Sequence, residues 1–274
     1  MAEFARDRRG SLFVVNNRLR YWLALVLIGV IGGVLSGAFG IGGGIIMVPL
    51  LVSLAGLDQR TAAATSLVAI IPTAIVGSVT YLANDQIDLA AGGLVSVGAI
   101  AGALIGTRLL RRIPLTWLRW MFIALIVVVA ARMLLVAPER GESVELTVWV
   151  ALGYIALGLV MGVASGLFGI GGGVIAVPAL VAIFGASDLV AKGTSLLVMF
   201  PTAVVGTVSN ARARIVDVRA GLVVGVAATL ASVPGVALAL IMPPRVSGVL
   251  FAVLLLAAAA QLTVKAISAQ RRRD

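Results

Sequence analysis

From Tyr21 to the end of the chain, apolar runs of roughly 20 residues follow one another with only short polar breaks, and each is long enough to cross a ~30 Å hydrocarbon layer. Inside lipid every backbone N–H and C=O must find its partner within the protein, so runs of this length read as helices. Composition agrees. Of the 274 residues, 61% are hydrophobic and 12% charged, against about 45–50% and 25% in a soluble domain. The expected fold is an all-α polytopic membrane protein.

The runs are not independent of one another. GVLSGAFGIGGGIIMVPLLV over 33–52 returns as GVASGLFGIGGGVIAVPALV over 162–181, at a constant offset of 129 residues. The offset carries on through Thr65-Ser66 with Thr194-Ser195, Pro72 with Pro201, Gly77 with Gly206, Asp88 with Asp217, Gly106 with Gly235 and Pro114 with Pro243. Each unit reads as a glycine-interrupted apolar stretch (21–56; 147–185), a helix with a central proline (61–82; 190–209) and two further helices (88–110 and 117–137; 218–240 and 246–268). The chain thereby divides into a basic arm (1–20), a first transmembrane repeat (21–137), a linker (138–146), a second repeat (147–268) and a basic tail (269–274). The recurrence in mid-chain also removes the reading of the N-terminus as a signal peptide cleaved after Ser36-Gly37-Ala38.

As one helix, 21–56 would run ~54 Å, too long for a single crossing. Phe39-Gly-Ile-Gly-Gly-Gly44 is the expected break, giving two short helices joined by a glycine turn. Whether such a hairpin crosses twice or turns back, it adds an even number of crossings, and three further helices make each unit odd. An odd unit repeated in tandem is upside down the second time, so inverted-topology repeats are expected. Charge is consistent with that. Arg6, Arg8, Arg9, Arg18 and Arg20, the Arg111–Arg119 loop, the Arg212–Arg219 loop and Arg271–Arg273 fall on one side, which the positive-inside rule makes cytoplasmic at both termini. Asn84–Asp88, Glu139–Glu145 and Pro243-Pro244-Arg245 fall outside. The net charge of +10 is thus read as orientation of the chain in a cell inner membrane, and nucleic acid is not an expected partner.

Neither glycine motif reads G-x-x-x-x-G-K-[ST] or follows a soluble strand, which excludes a nucleotide loop. Small-residue spacings such as Gly33/Gly37, Gly102/Gly106 and Gly158/Gly162/Gly166 suit close helix packing. Four glycines within six residues exceed that need. A turn through Gly40, Gly42, Gly43 and Gly44, and its copy through Gly169, Gly171, Gly172 and Gly173, exposes backbone N–H groups at the positive end of a short helix. The expected substrate is therefore a small anion. Thr65, Ser66, Thr194 and Ser195 either bond to their own helices or donate to that substrate. Lys192, opposite Ala63 in the first copy, either reaches the membrane surface or attracts the anion. Asp88 and Asp217 are expected as helix N-caps, Arg132 as a snorkelling side chain, and Tyr21, Trp22, Trp117, Trp120 and Trp149 as an interfacial aromatic belt. Cysteine and histidine are both absent, which removes disulfides, thiolate nucleophiles and the usual zinc ligands. No catalytic residue, metal or cofactor is expected.

These residues carry a family resemblance. SGAFGIGGGIIMVPLL and SGLFGIGGGVIAVPAL, with ATSL at 64–67 and KGTSL at 192–196, resemble the TauE/SafE-type sulfite exporters, also described as toluene-sulfonate uptake permeases. The resemblance covers nearly the whole chain after residue 20. It implies a bacterial or archaeal permease for sulfite, sulfonates or related sulfur-containing organic anions. Alternating access around a site between the repeats is the expected mechanism. An anion channel would share the glycine-lined site, and a membrane-embedded enzyme would need an acid–base pair that the sequence does not display. Oligomeric state is not legible.

Overall fold

A computed structural model of the chain describes residues 3–135 and 146–270, with side chains described over 19–131, 146–264 and at Ile267. Among the described residues there are ten helices and no strand. The first half contributes α1 (Glu3–Phe39), α2 (Gly44–Leu54), α3 (Gln59–Leu82), α4 (Leu89–Arg112) and α5 (Leu115–Leu135). The second contributes α6 (Val148–Phe168), α7 (Gly173–Ala182), α8 (Asp188–Arg212), α9 (Val218–Ile241) and α10 (Pro244–Gln270). The Arg271–Arg273 tail, the Glu139–Glu145 loop, and the side chains of Arg6, Arg8, Arg9, Arg18 and Arg132 lie outside what is described.

Among the described residues, seven helices are long and apolar enough to cross a membrane: α1 over Leu19–Phe39, α3, α4, α6, α8, α9 and α10 over Pro244–Val264. Apolar side chains such as Val97, Val128, Leu230 and Val253 cover the outside, as in a protein whose solvent is lipid. The hairpins differ from the expectation of two short arms. The first arm is a full-length helix, and only the second is short. α2 has 11 residues and α7 has 10; at ~1.5 Å each they cover ~16 Å, about half of the hydrocarbon thickness, so neither crosses. The break falls late in the apolar stretch because the glycines do, and α1 runs unbroken from Glu3 into its apolar part.

Local signals set the other boundaries. Asp88 and Asp217 are N-caps, each accepting a 2.9 Å bond from the backbone N–H three residues on, Ala91 and Ala220 respectively. Asp58 caps α3 through the N–H groups of Arg60 and Thr61. Asp85 and Arg214 both have positive φ, 56° and 57°, so the tight turns after α3 and α8 recur at the repeat offset.

The two halves interlock rather than sit side by side. α1 packs on α9 and α6 packs on α4, so each tight pair takes one helix from each half. Gly29, Gly33 and Gly37 meet the backbone of α9 at Val224, Ala228 and Ser232 in that order, so α1 and α9 run the same way. Gly158, Gly162 and Gly166 meet α4 at Val95, Ala99 and Ala103, giving the same parallel arrangement. These glycines let backbones approach to contact distance, where dispersion and close packing replace the hydrophobic effect that lipid does not supply. α3 and α8 are the most buried spans. They run antiparallel, Gly77 against Leu196 and Gly206 against Leu67, and α3 also runs parallel to α9 through Gly221 and Gly225.

Candidate functional site

The two glycine turns meet at the centre of this interlocked core. Gly44 lies against Gly169 and Ile170, and Gly173 lies against Gly40 and Ile41, so the turns pass each other in opposite directions. Their middle glycines, Gly42 and Gly171, both face Met199 and Ile70, which are themselves a repeat-related pair. All residues of 40–44 and 169–173 are buried. The backbone repeats closely. Gly40, Gly42 and Gly43 have φ of 66°, 69° and 69°, and Gly169, Gly171 and Gly172 have 70°, 76° and 89°. Three left-handed residues in four are affordable only to glycine, which has no Cβ to collide with its own carbonyl.

The polarity of this doubled turn is sorted. Ser66 donates at 2.6 Å to the carbonyl of Gly169 and at 2.9 Å to Ala63 in its own helix. Ser195 donates to the carbonyl of Gly40 and, at 2.8 Å, to Lys192. Each serine thus fastens the turn of the opposite half. The N–H side is different. Gly40 and Gly169 donate to Ser36 and Ser165, and the α2 and α7 ladders begin with Ile46, Met47, Ile175 and Ala176 donating back to Gly43 and Gly172. Among the described residues, no backbone acceptor takes the N–H groups of 41–44 or 170–173. The helices themselves start at Gly43 and Gly172 without a side-chain cap. Buried N–H groups at a helix start are a standing positive dipole that only an acceptor from outside the fold can satisfy.

Thr65 and Thr194 do a different job from their serine neighbours. Their hydroxyls accept the N–H of Asp217 at 3.0 Å and of Asp88 at 2.9 Å, tying α3 to the start of α9 and α8 to the start of α4. Neither pair bonds only to its own helix. Lys192 is 2% exposed, so it does not extend to the membrane surface. Its ammonium bonds Asp188 at 2.6 Å and Ser247 at 2.8 Å, and its backbone packs on Gly40. A carboxylate already neutralises it, because one helical turn separates Asp188 from Lys192.

Two residues that the sequence reading passed over belong here. Ser36 and Ser165, in the last turns of α1 and α6, are both fully buried, and among the described residues their hydroxyls have no partner. Other buried side-chain polar atoms lack partners too, in Gln59, Arg60, Thr207 and Asn210, but among the described residues only Ser36 and Ser165 occupy repeat-related positions. The sequence carries their signal as the serine of SGxFGIGGG, a polar residue kept inside both apolar helices. Aromatic pairs close the ends of the same turns: Phe39 stacks on Phe251 at 5.1 Å, and Phe168 packs on Phe122 at 5.4 Å.

Comparison with known proteins fits this construction. The chain is 28% identical over 213 residues to YunE, a probable membrane transporter protein of Bacillus subtilis, covering 69% of this chain and 78% of that one. It is 26% identical over 198 residues to YdhB of the same organism, covering 71% and 81%. A probable membrane transporter protein of Haemophilus influenzae is 33% identical over 176 residues, covering 58% and 62%. No solved structure matches. The family model for the sulfite exporter TauE/SafE matches residues 3–133 and 154–274. Both halves, glycine turns included, fall within that match, and the chain belongs to the sulfite exporter TauE/SafE family.

Proposed function

We propose that this membrane transporter moves small anions, sulfite, sulfonates or related sulfur-containing organic anions, and that the paired glycine turns hold the substrate between its two halves. One observation carries the reading: two opposed helix starts present unpartnered N–H groups while Ser66 and Ser195 occupy the turn carbonyls. An oxyanion offers several acceptor oxygens, which suits N–H donors converging from both halves together with the free hydroxyls of Ser36 and Ser165. Fixed donors in a buried site hold an anion without a buried cation, and Lys192 is already matched by Asp188. The same site reads anions with three or four oxygens and rejects cations.

The halves act as inverted repeats in this reading. Support comes from the helix directions: α1 runs with α9 and α6 with α4, while α3 and α8, which are repeat-related, run opposite ways. With the arginine-rich ends of α4 and α8 on the cytoplasmic side, the two hairpins enter from opposite faces of a bacterial or archaeal inner membrane and meet near its middle. Burial of the whole doubled turn favours a carrier that opens alternately to each side over an open pore. Efflux of an anion needs no further coupling, since an inside-negative potential favours it by ~2.3 kcal/mol per charge per 100 mV.

Purified protein reconstituted in liposomes tests this. Tracer sulfite, an arylsulfonate, sulfate and a short carboxylate are offered in turn, with and without unlabelled anion on the far side. Saturable flux of a sulfur oxyanion, accelerated by counterflow, is the expected outcome. Flux that rises linearly with concentration and shows no counterflow contradicts the carrier, and absence of flux for every anion contradicts the function.

A further inference from the structure

We propose that the groove between the ends of α4 and α8 binds an anionic phospholipid, its phosphate held by Arg108, Arg111 and Arg212 and an acyl chain lying along the apolar floor. The groove has a volume of about 660 Å³, and Leu104, Val204, Val205 and Val208 line it below the three guanidiniums and Ser209. That is the size of a site for a headgroup and the upper part of one chain. Leu104 and Val208 are exposed on the outer surface of the helix bundle, so the floor opens to the hydrocarbon rather than to an interior chamber.

The head of the groove is built rather than incidental. Arg111 donates from Nη1 to the carbonyl and the hydroxyl of Ser209, both at 3.2 Å, and Ser209 in turn bonds Thr107 at 2.9 Å. These contacts fix the guanidinium across the two helices and leave its remaining N–H donors for a ligand. Among the described residues no carboxylate lines the groove, and the ion pair is Lys192 with Asp188. Three unneutralised guanidiniums over an apolar floor match an amphiphile with an anionic head and a hydrocarbon tail.

Duplication supplies an internal control. The repeat-related positions in the α9–α3 pair are Ala237 for Arg108, Leu240 for Arg111 and Ala83 for Arg212. The same helix pairing therefore forms without arginines, so packing does not require them. Orientation of the chain asks for charge at that end of the helices, not for a groove beneath it. The leaflet is the one faced by the α4–α5 and α8–α9 loops.

The test uses the full chain in neutral detergent, titrated with phosphatidylglycerol or phosphatidylcholine and read by native mass spectrometry. Wild type is expected to bind phosphatidylglycerol about tenfold or more tightly than phosphatidylcholine, and Arg108→Gln with Arg212→Gln, two exposed positions, to lose most of that preference. Val208→Trp fills the floor without touching charge and is expected to weaken phosphatidylglycerol binding while the protein's melting temperature holds. Equal binding of the two lipids by wild type, or an unchanged preference in the double variant, overturns the proposal. So does displacement of the lipid by millimolar inorganic phosphate, which would show that the arginines read a free anion.

Discussion

Four serines divide the work at the doubled turn. Ser66 and Ser195 hold carbonyls that the turn conformation orphans, whereas Ser36 and Ser165 hold nothing. Their removal therefore has opposite signatures. Ser36→Ala with Ser165→Ala is expected to weaken substrate affinity about tenfold or more, the loss of hydrogen bonds to a charged group, while thermal stability barely changes. Ser66→Ala strands a buried carbonyl and is expected to cost about 1–3 kcal/mol of stability, seen as a lower melting temperature even without substrate. Wild-type affinity in the first variant would show that those hydroxyls do not face the anion. The glycines and the Thr-Ser pairs were legible because duplication printed them twice. What each hydroxyl bonds was not, since the partners of Ser66 and Thr65 lie in the other half, 103 and 152 residues away. Lys192 stayed open between two roles for a similar reason: its ammonium bonds Ser247, contributed by a helix 55 residues on.

Helix packing rests on glycines of two kinds. Those in the turns serve backbone conformation, while those along α1, α4 and α6 serve contact. Gly33 sits on the backbone of Ala228 and Gly162 on that of Ala99, so any side chain there pries a parallel pair apart. Gly33→Leu or Gly162→Leu is expected to destabilise the protein by about 1–3 kcal/mol or more through overpacking, read as reduced yield in membranes and a lower melting temperature. Gly248 in α10 has open space around it; Gly248→Ala is expected to leave stability unchanged or raise it by up to about 1 kcal/mol. Equal tolerance at Gly33 and Gly248 would contradict the packing account. Most helix ends were legible to within about three residues because caps mark them, Asp88 and Asp217 above all. The unequal hairpin arms were not, because periodicity does not say how far an apolar helix continues past its neighbour.

At the scale of the whole molecule, the interlocked halves make two predictions that depend on each other. If the repeats are inverted, repeat-related loops lie on opposite faces. The turns at Asp85 and Arg214 share one backbone conformation and offer the cleanest pair in a chain with no cysteine of its own. A cysteine at Asp85 is expected to react with an impermeant thiol reagent from outside the cell, and one at Arg214 only after the membrane is opened; reaction of both from the same side contradicts the inversion. Interlocking also means that neither half would form the proposed site alone, since each turn is fastened by the other half's serine. A branched side chain at either turn should then disable both. The most direct measurement is sulfite counterflow in liposomes containing Gly43→Val or Gly172→Val, scored against protein inserted. Each single variant is expected to insert and to lose counterflow, because valine resists the left-handed backbone at both positions. Counterflow at the wild-type rate in either variant would contradict a site built from both turns.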